Sequence, residues 1–355
     1  MPSFRPIIRT AYREILRREP DSGGLENFNR LMNQGLTEAR MRESLLRSDE
    51  YAQQNPDVGL GPRIGLNVHL SGPEVLDDVG SNLGIRWIRV GFDWFRIEPN
   101  RGDFRWFDTD REVQAAEERG ISILGILAYT PPWASSNPGN PLIADPPASR
   151  AFWTDFVRAT VSRYRDRVAY WQMWNEANVR EFWLGTRQQY RTEILEPGAR
   201  TASEASPGIQ VVAPGFANLG SWRDWFREAM NASDLIDIVN HHNYADTGRE
   251  ALEELEQDSI FQPSLRTLMR QAGVDDLPFW LTETGRRTAE GDQLRYYQDL
   301  VATLRQKTWV ERVFFYRYWD GPGAGDTEWG IVNEDFSPKP TYRFLQAVVE
   351  PGLHR

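Results

Sequence analysis

Two glutamates, Glu176 and Glu283, sit at the ends of short apolar runs and are the residues in this chain best suited to acid–base chemistry. The first closes the run Trp171-Gln172-Met173-Trp174-Asn175-Glu176, and the second lies in Phe279-Trp280-Leu281-Thr282-Glu283-Thr284. Paired carboxylates across a cavity can cleave a glycosidic bond. One protonates the leaving oxygen, and the other attacks the sugar or activates water. Polar residues also end other runs: Arg89, His242-Asn243-Tyr244 and Trp319-Asp320. Metal chemistry is not expected. His241 and His242 are adjacent on a strand and point to opposite faces, and His69 and His354 are the only other histidines. No glycine-rich phosphate loop follows a strand, so no cofactor is expected.

These residues need a frame that brings strand ends together. From residue 64 onward, short apolar runs alternate with amphipathic stretches. Strands are expected at 64–69, 87–92, 121–129, 168–176, 209–216, 236–244, 279–284 and 310–319. Eight such units make a (β/α)8 TIM barrel, whose active site lies at the C-terminal ends of the strands. Ahead of it, residues 1–55 read as a small all-α module. Ile8, Ala11, Tyr12, Ile15 and Leu16 recur at helical spacing, and Pro20 to Gly24 break the pattern. The expected division is a helical module at 1–55, a linker at 56–62 and the barrel at 63–355.

The net charge of −10 and the absence of cysteine narrow the partners. An acidic surface argues against nucleic acid, and disulfides, thiolate nucleophiles and zinc–sulfur sites are excluded. No apolar run can span a bilayer, and the arginine-rich start lacks the core of a signal peptide. A soluble protein is expected, either cytoplasmic or exported by a route without a cleaved signal. The fourteen Trp and twelve Tyr fit either a large aromatic core or stacking on sugar faces. For Trp133, Trp183, Trp222 and Trp329 both readings stay open, and His69 either meets sugar or caps the barrel.

The order of the motifs resembles glycoside hydrolase clan A, and family 39 most. Trp174-Asn175-Glu176-Ala177-Asn178 followed by Phe182-Trp183 is similar to the clan's acid/base strand, and Leu281-Thr282-Glu283-Thr284-Gly285 to its nucleophile strand. His241-His242-Asn243-Tyr244, Pro131-Pro132-Trp133-Ala134 and Trp87-Ile88-Arg89 resemble its strand six, the loop after strand three and strand two. The resemblance implies a retaining β-glycosidase acting on carbohydrate, with Glu176 as acid/base and Glu283 as nucleophile. It implies that Arg89 and Tyr244 hold Glu283, that Asn175 binds the sugar 2-hydroxyl and that Trp319 stacks under the sugar. His242 would support Tyr244 or a substrate hydroxyl, and Trp133 would join the cleft. A glycan-binding protein without activity and a transglycosylase are the alternatives.

The segment from Ala11 to Asp21, with Gly24-Leu25 and Ser48-Asp49-Glu50-Tyr51, resembles a helical domain of bacterial surface and exopolysaccharide proteins. That implies a role in attachment. The long loops at 130–147 and 320–335 point to internal cleavage of such a polysaccharide.

Overall fold

A computed structural model describes residues 3–16, 18–46, 48, 50, 60–69, 71–321 and 328–349. Residues 56–59 of the expected linker, Arg17, Asp49, Tyr51 and His354 lie outside the described residues, as do residues 322–327 of the loop after strand eight. Contacts divide the chain into two compact units, described separately.

Among the described residues, the first unit holds three helices: α1 (Arg5–Leu16), α2 (Ser22–Asn33) and α3 (Glu38–Leu46). The Asp21 carboxylate caps α2 by accepting from Gly24 N at 2.8 Å, which satisfies a donor that the helix itself leaves unpaired. The apolar stripes meet in a small core of Ile8, Ala11, Tyr12, Leu16, Leu25, Met32, Met41 and Leu45.

The second unit is a barrel of eight parallel strands: β1 (Ile64–Asn67), β2 (Trp87–Asp93), β3 (Ser122–Ala128), β4 (Tyr170–Met173), β5 (Gln210–Val212), β6 (Val239–His242), β7 (Phe279–Thr284) and β8 (Val310–Phe315). The strands run β5-β4-β3-β2-β1-β8-β7-β6. Parallel bridges Val212↔Ile238 and Ala217↔His242 join the two ends and close the ring. The fold is the expected (β/α)8 barrel. The β2–β3 ladder runs without a break from Trp87↔Ser122 to Asp93↔Ala128.

The floor of the barrel is a buried apolar cluster of Trp87, Leu124, Val212, Ile238, Trp280 and Phe314. The Arg312 guanidinium lies 3.8 Å from the Trp87 ring centroid and 4.9 Å from that of Trp280. Cation–π attraction and apolar burial therefore close this end together.

Several strands are shorter than their apolar runs. β4 ends at Met173 rather than 176, and β8 at Phe315 rather than 319. Beyond those points the chain leaves the ladder, and Asn175, Glu176 and Tyr316 line the mouth. Tyr129, Trp174 and Glu176 take positive φ values of 73°, 74° and 41°, which no strand tolerates. Strand two goes the other way and continues one residue past its expected end, to Asp93.

Candidate active site

Three strain points surround the mouth. Tyr129, Trp174 and Glu176 hold backbone conformations that cost a non-glycine residue of order 1–3 kcal/mol each. Packing fixes them. Trp174 is fully buried against Trp153 and Trp183, and its indole N–H donates to Phe182 O at 2.8 Å. Glu176 N donates to Gly215 O at 3.0 Å. The turn aims Asn175 and Glu176 inward.

Glu283 is nearly buried on β7, and each of its oxygens accepts from one donor. Arg89 Nη1 donates to Oε1 at 2.5 Å, and the Tyr244 hydroxyl donates to Oε2 at 2.7 Å. Arg89 is itself fixed by three acceptors: Asn67 Oδ1 at 2.8 Å, Asn175 Oδ1 at 2.8 Å and Gln172 Oε1 at 3.2 Å. Burial alone would raise the Glu283 carboxyl. His242, Arg89 and Tyr244 outweigh it and hold the group below its usual range. Burial, with the Glu283 and Glu176 charges, pushes the Tyr244 phenol far up, so it stays a donor.

His242 differs from its expected place. Its Nδ1 lies 2.7 Å from Glu176 Oε1 and 3.5 Å from Glu283 Oε2, so it serves the first carboxylate rather than Tyr244. The Thr282 hydroxyl donates to Asn240 Oδ1, whose amide nitrogen donates to Gln172 Oε1. His242 Nε2 lies 3.1 Å from Thr282 Oγ1 and 3.4 Å from Arg89 Nη2, so the ring is held on that side while Nδ1 faces Glu176. Gly215 makes room for the ring, since a Cβ there would lie 2.1 Å from Nε2.

A cavity of about 390 Å³ collects Asn67, His69, Arg89, Asn175, Glu176 and Glu283 from the strand ends. Trp319 is not among its lining residues. Its ring stacks on Phe336 at 5.4 Å and 3°, its indole N–H donates to Glu334 O at 3.0 Å, and Tyr316, just past β8, is the aromatic from this segment that lines the cavity. Trp133 is likewise elsewhere, packed edge-on to Trp94 and bonded to Glu98 O. Trp183 and Trp222 are buried packing residues, while Trp329 meets the Tyr244 ring at 5.1 Å. His69 lines the cavity with its Nε2 2.6 Å from Arg317 Nη1.

The cavity also holds Asp93, Arg96, Tyr129 and Phe182, which sequence reasoning missed. Arg89, Gly91 and Asp93 alternate on one face of β2, so reading that strand one residue longer would have found Asp93. Burial pushes the Asp93 carboxyl up to about 6, and Arg96 lowers it only in part.

Glu176, His242 and Glu283 each bring a ligand atom within 4.8 Å of the others, a donor set that a cation could use. The chemistry of the set fits a metal poorly. Both Glu283 oxygens already accept from protein donors, and the Arg89 cation adjoins the cluster.

Residues 193–335 match the family described as the glycosyl hydrolase catalytic core. A β-xylosidase of Geobacillus stearothermophilus is 26% identical over 160 residues, 39% of this chain and 31% of that protein. This chain thus spans about a third of that relative's length. A thermostable celloxylanase of Thermoclostridium stercorarium is 24% identical over 323 residues, 73% of this chain and 76% of the relative. A family 39 glycoside hydrolase from the gut symbiont Bacteroides cellulosilyticus superposes with a TM-score of 0.64 at 19% identity, over 81% of this chain and 63% of that one. That last likeness is one of fold. Among the described residues, no helix is long and apolar enough to cross a membrane.

Proposed function

We propose that this chain is a retaining β-glycosidase acting on an oligo- or polysaccharide. The observation that carries the reading is the closeness of the two carboxylates, with one oxygen of Glu176 within 4.8 Å of one of Glu283. Retaining enzymes separate their carboxyl groups by about 5–5.5 Å and inverting ones by roughly 6.5–9.5 Å. A nearest-oxygen gap of this size is in keeping with the retaining spacing.

In this reading a Glu283 oxygen attacks the anomeric carbon as Glu176 gives its proton to the departing oxygen. The carbon–oxygen bond to the aglycone breaks, and a glycosyl ester forms on Glu283. Glu176 then takes a proton from water, which attacks the same carbon and frees Glu283. Arg89 and Tyr244 keep Glu283 ionised and aimed. His242 holds Glu176 Oε1 through Nδ1, and Asn175 binds the 2-hydroxyl. The same reading extends to internal cleavage of a bacterial exopolysaccharide. Its support is the long loops and the resemblance of the helical module, to which we assign attachment.

The test is a panel of aryl β-glycosides, xylosides and glucosides first, since the relatives include a β-xylosidase and a celloxylanase. Glu176→Gln should lose roughly 10²–10⁴-fold on poor leaving groups and little on activated ones, which need no proton. Glu283→Ala should be inactive, and azide should restore turnover with the inverted glycosyl azide as product. Equal losses of Glu176→Gln on both kinds of leaving group would remove Glu176 from the acid role. Absence of azide product would remove Glu283 from the nucleophile role.

A further inference from the structure

Asp93 has no structural task that accounts for its position. It closes β2, two residues beyond Gly91 and four beyond Arg89, and all three line the cavity that holds Glu176 and Glu283. Its carboxylate leans back over Gly91, where a Cβ would lie 2.8 Å from Oδ1. The absence of a side chain at 91 is what gives this oxygen its seat. The ion pair recorded for Asp93 is with Arg96, Nε to Oδ2 at 3.2 Å. Arg96 is 69% exposed and Asp93 only 24%. A pair with one exposed member is screened by solvent and contributes little, too little to offset the burial of a carboxylate. The raised proton affinity of Asp93 reflects that imbalance.

We infer that Asp93 selects the sugar: Oδ1 accepts from one hydroxyl of a neutral glycone, and the neighbouring Arg96 donates to the next hydroxyl. A carboxylate beside a guanidinium presents one acceptor and one donor side by side, the pattern that matches two adjacent hydroxyls. The same neighbourhood rejects charged sugars. A uronate would face Asp93, Glu176 and Glu283 together, and an ammonium sugar drawn to Asp93 would meet Arg96. The inference rests on the glycosidase reading for the identity of the cavity, and it names the substrate class for that cavity.

The experiment measures affinity and turnover separately. Wild type, Asp93→Ala, Asp93→Asn and Gly91→Ala are titrated calorimetrically with xylo-, cello- and manno-oligosaccharides. The same titrations use singly deoxygenated methyl β-glycosides, a methyl β-glucuronide and a methyl β-glucosaminide. Circular dichroism checks that each variant folds. Asp93→Ala should weaken binding of the preferred neutral sugar by roughly 10- to 100-fold, the loss of one hydrogen bond to a charged acceptor. For the analogue lacking the partner hydroxyl, wild type and Asp93→Ala should bind alike. Gly91→Ala pushes Oδ1 from its seat without removing it, so it should weaken binding too. In combination with Asp93→Ala it should add nothing.

Equal affinity of wild type and Asp93→Ala for the preferred sugar would overturn the inference. So would tighter binding of the glucuronide or the glucosaminide, or failure of every sugar to bind wild type. Binding that depends on Asp93 with no cleavage of any glycoside would uphold the inference and refute the glycosidase reading instead.

Discussion

Replacing Tyr244 with phenylalanine removes one oxygen and leaves the ring in place. The Tyr244 ring packs edge-on against Trp329 at 5.1 Å and Tyr316 at 6.3 Å, and a phenyl ring keeps both contacts. Folding should be unaffected. What is lost is the 2.7 Å hydrogen bond to Glu283 Oε2, whose acceptor is ionised. Such a bond is worth about 1.5–3 kcal/mol, so kcat/KM should fall roughly 10- to 150-fold. The pH profile supplies a second readout. Glu283 acts as a carboxylate, and its proton affinity is held down by His242, Arg89 and Tyr244 against the effect of burial. With Tyr244 gone the group holds its proton more tightly, and activity should begin to fail at a higher pH on the acidic limb. The assay is kcat/KM against pH for the aryl glycoside that the wild type cleaves fastest. An acidic limb that stays put or moves to lower pH would refute the reasoning, as would an unchanged rate.

Three further outcomes follow from single contacts. Gly215→Ala places a Cβ 2.1 Å from His242 Nε2, and the displaced ring should release Glu176. The expected loss is on the order of 10²-fold for substrates with poor leaving groups and far less for activated ones; equal losses would show a general distortion instead. His241 is buried, with both ring nitrogens unpaired among the described residues, and burial, then the charges of His242 and Arg223, push it well below its ordinary range. Below pH ~6.5 the unfolded chain binds a proton that the folded chain refuses, so stability falls as pH falls. His241→Leu should flatten that decline in chemical denaturation at pH above and below this point, and a decline as steep as wild type's would remove His241 as its cause. Lys339 pairs with Asp320 at 2.5 Å, both about nine-tenths buried, so Lys339→Met should cost about 3–5 kcal/mol. A urea midpoint unchanged from wild type would contradict it.

The barrel was legible in the sequence because its signal repeats eight times. Each apolar run is followed by an amphipathic stretch, and a mistaken end at one strand leaves the count intact. Glu176, Glu283, Arg89 and Tyr244 could be singled out because each ends or punctuates a strand, and the structure brings all four together. Strand ends were legible only to within a few residues, and Asp93 was lost on that margin. Trp319 and Trp133 show a different limit. A large aromatic residue near a strand end satisfies composition equally well on a sugar or on Phe336 and Trp94, and only the course of the loops decides. The link from His242 to Glu176 had no sequence signal, because it depends on a glycine at 215 on another strand's exit.

The unbroken pairing of β2 with β3 has a consequence for how this protein can change. Residues 89, 91 and 93 face the cavity at intervals of roughly 6.6 Å along one rigid strand. Arg89, the lowest rung, holds the nucleophile candidate; Gly91, in the middle, leaves room for the Asp93 carboxylate; and Asp93, the uppermost, lines the cavity. A mutation at the top rung alters what is admitted while the two below it stay in register. On the proposed glycosidase reading, selection could therefore redirect this barrel to a new sugar by single steps, each of which leaves the paired glutamates and their supports intact.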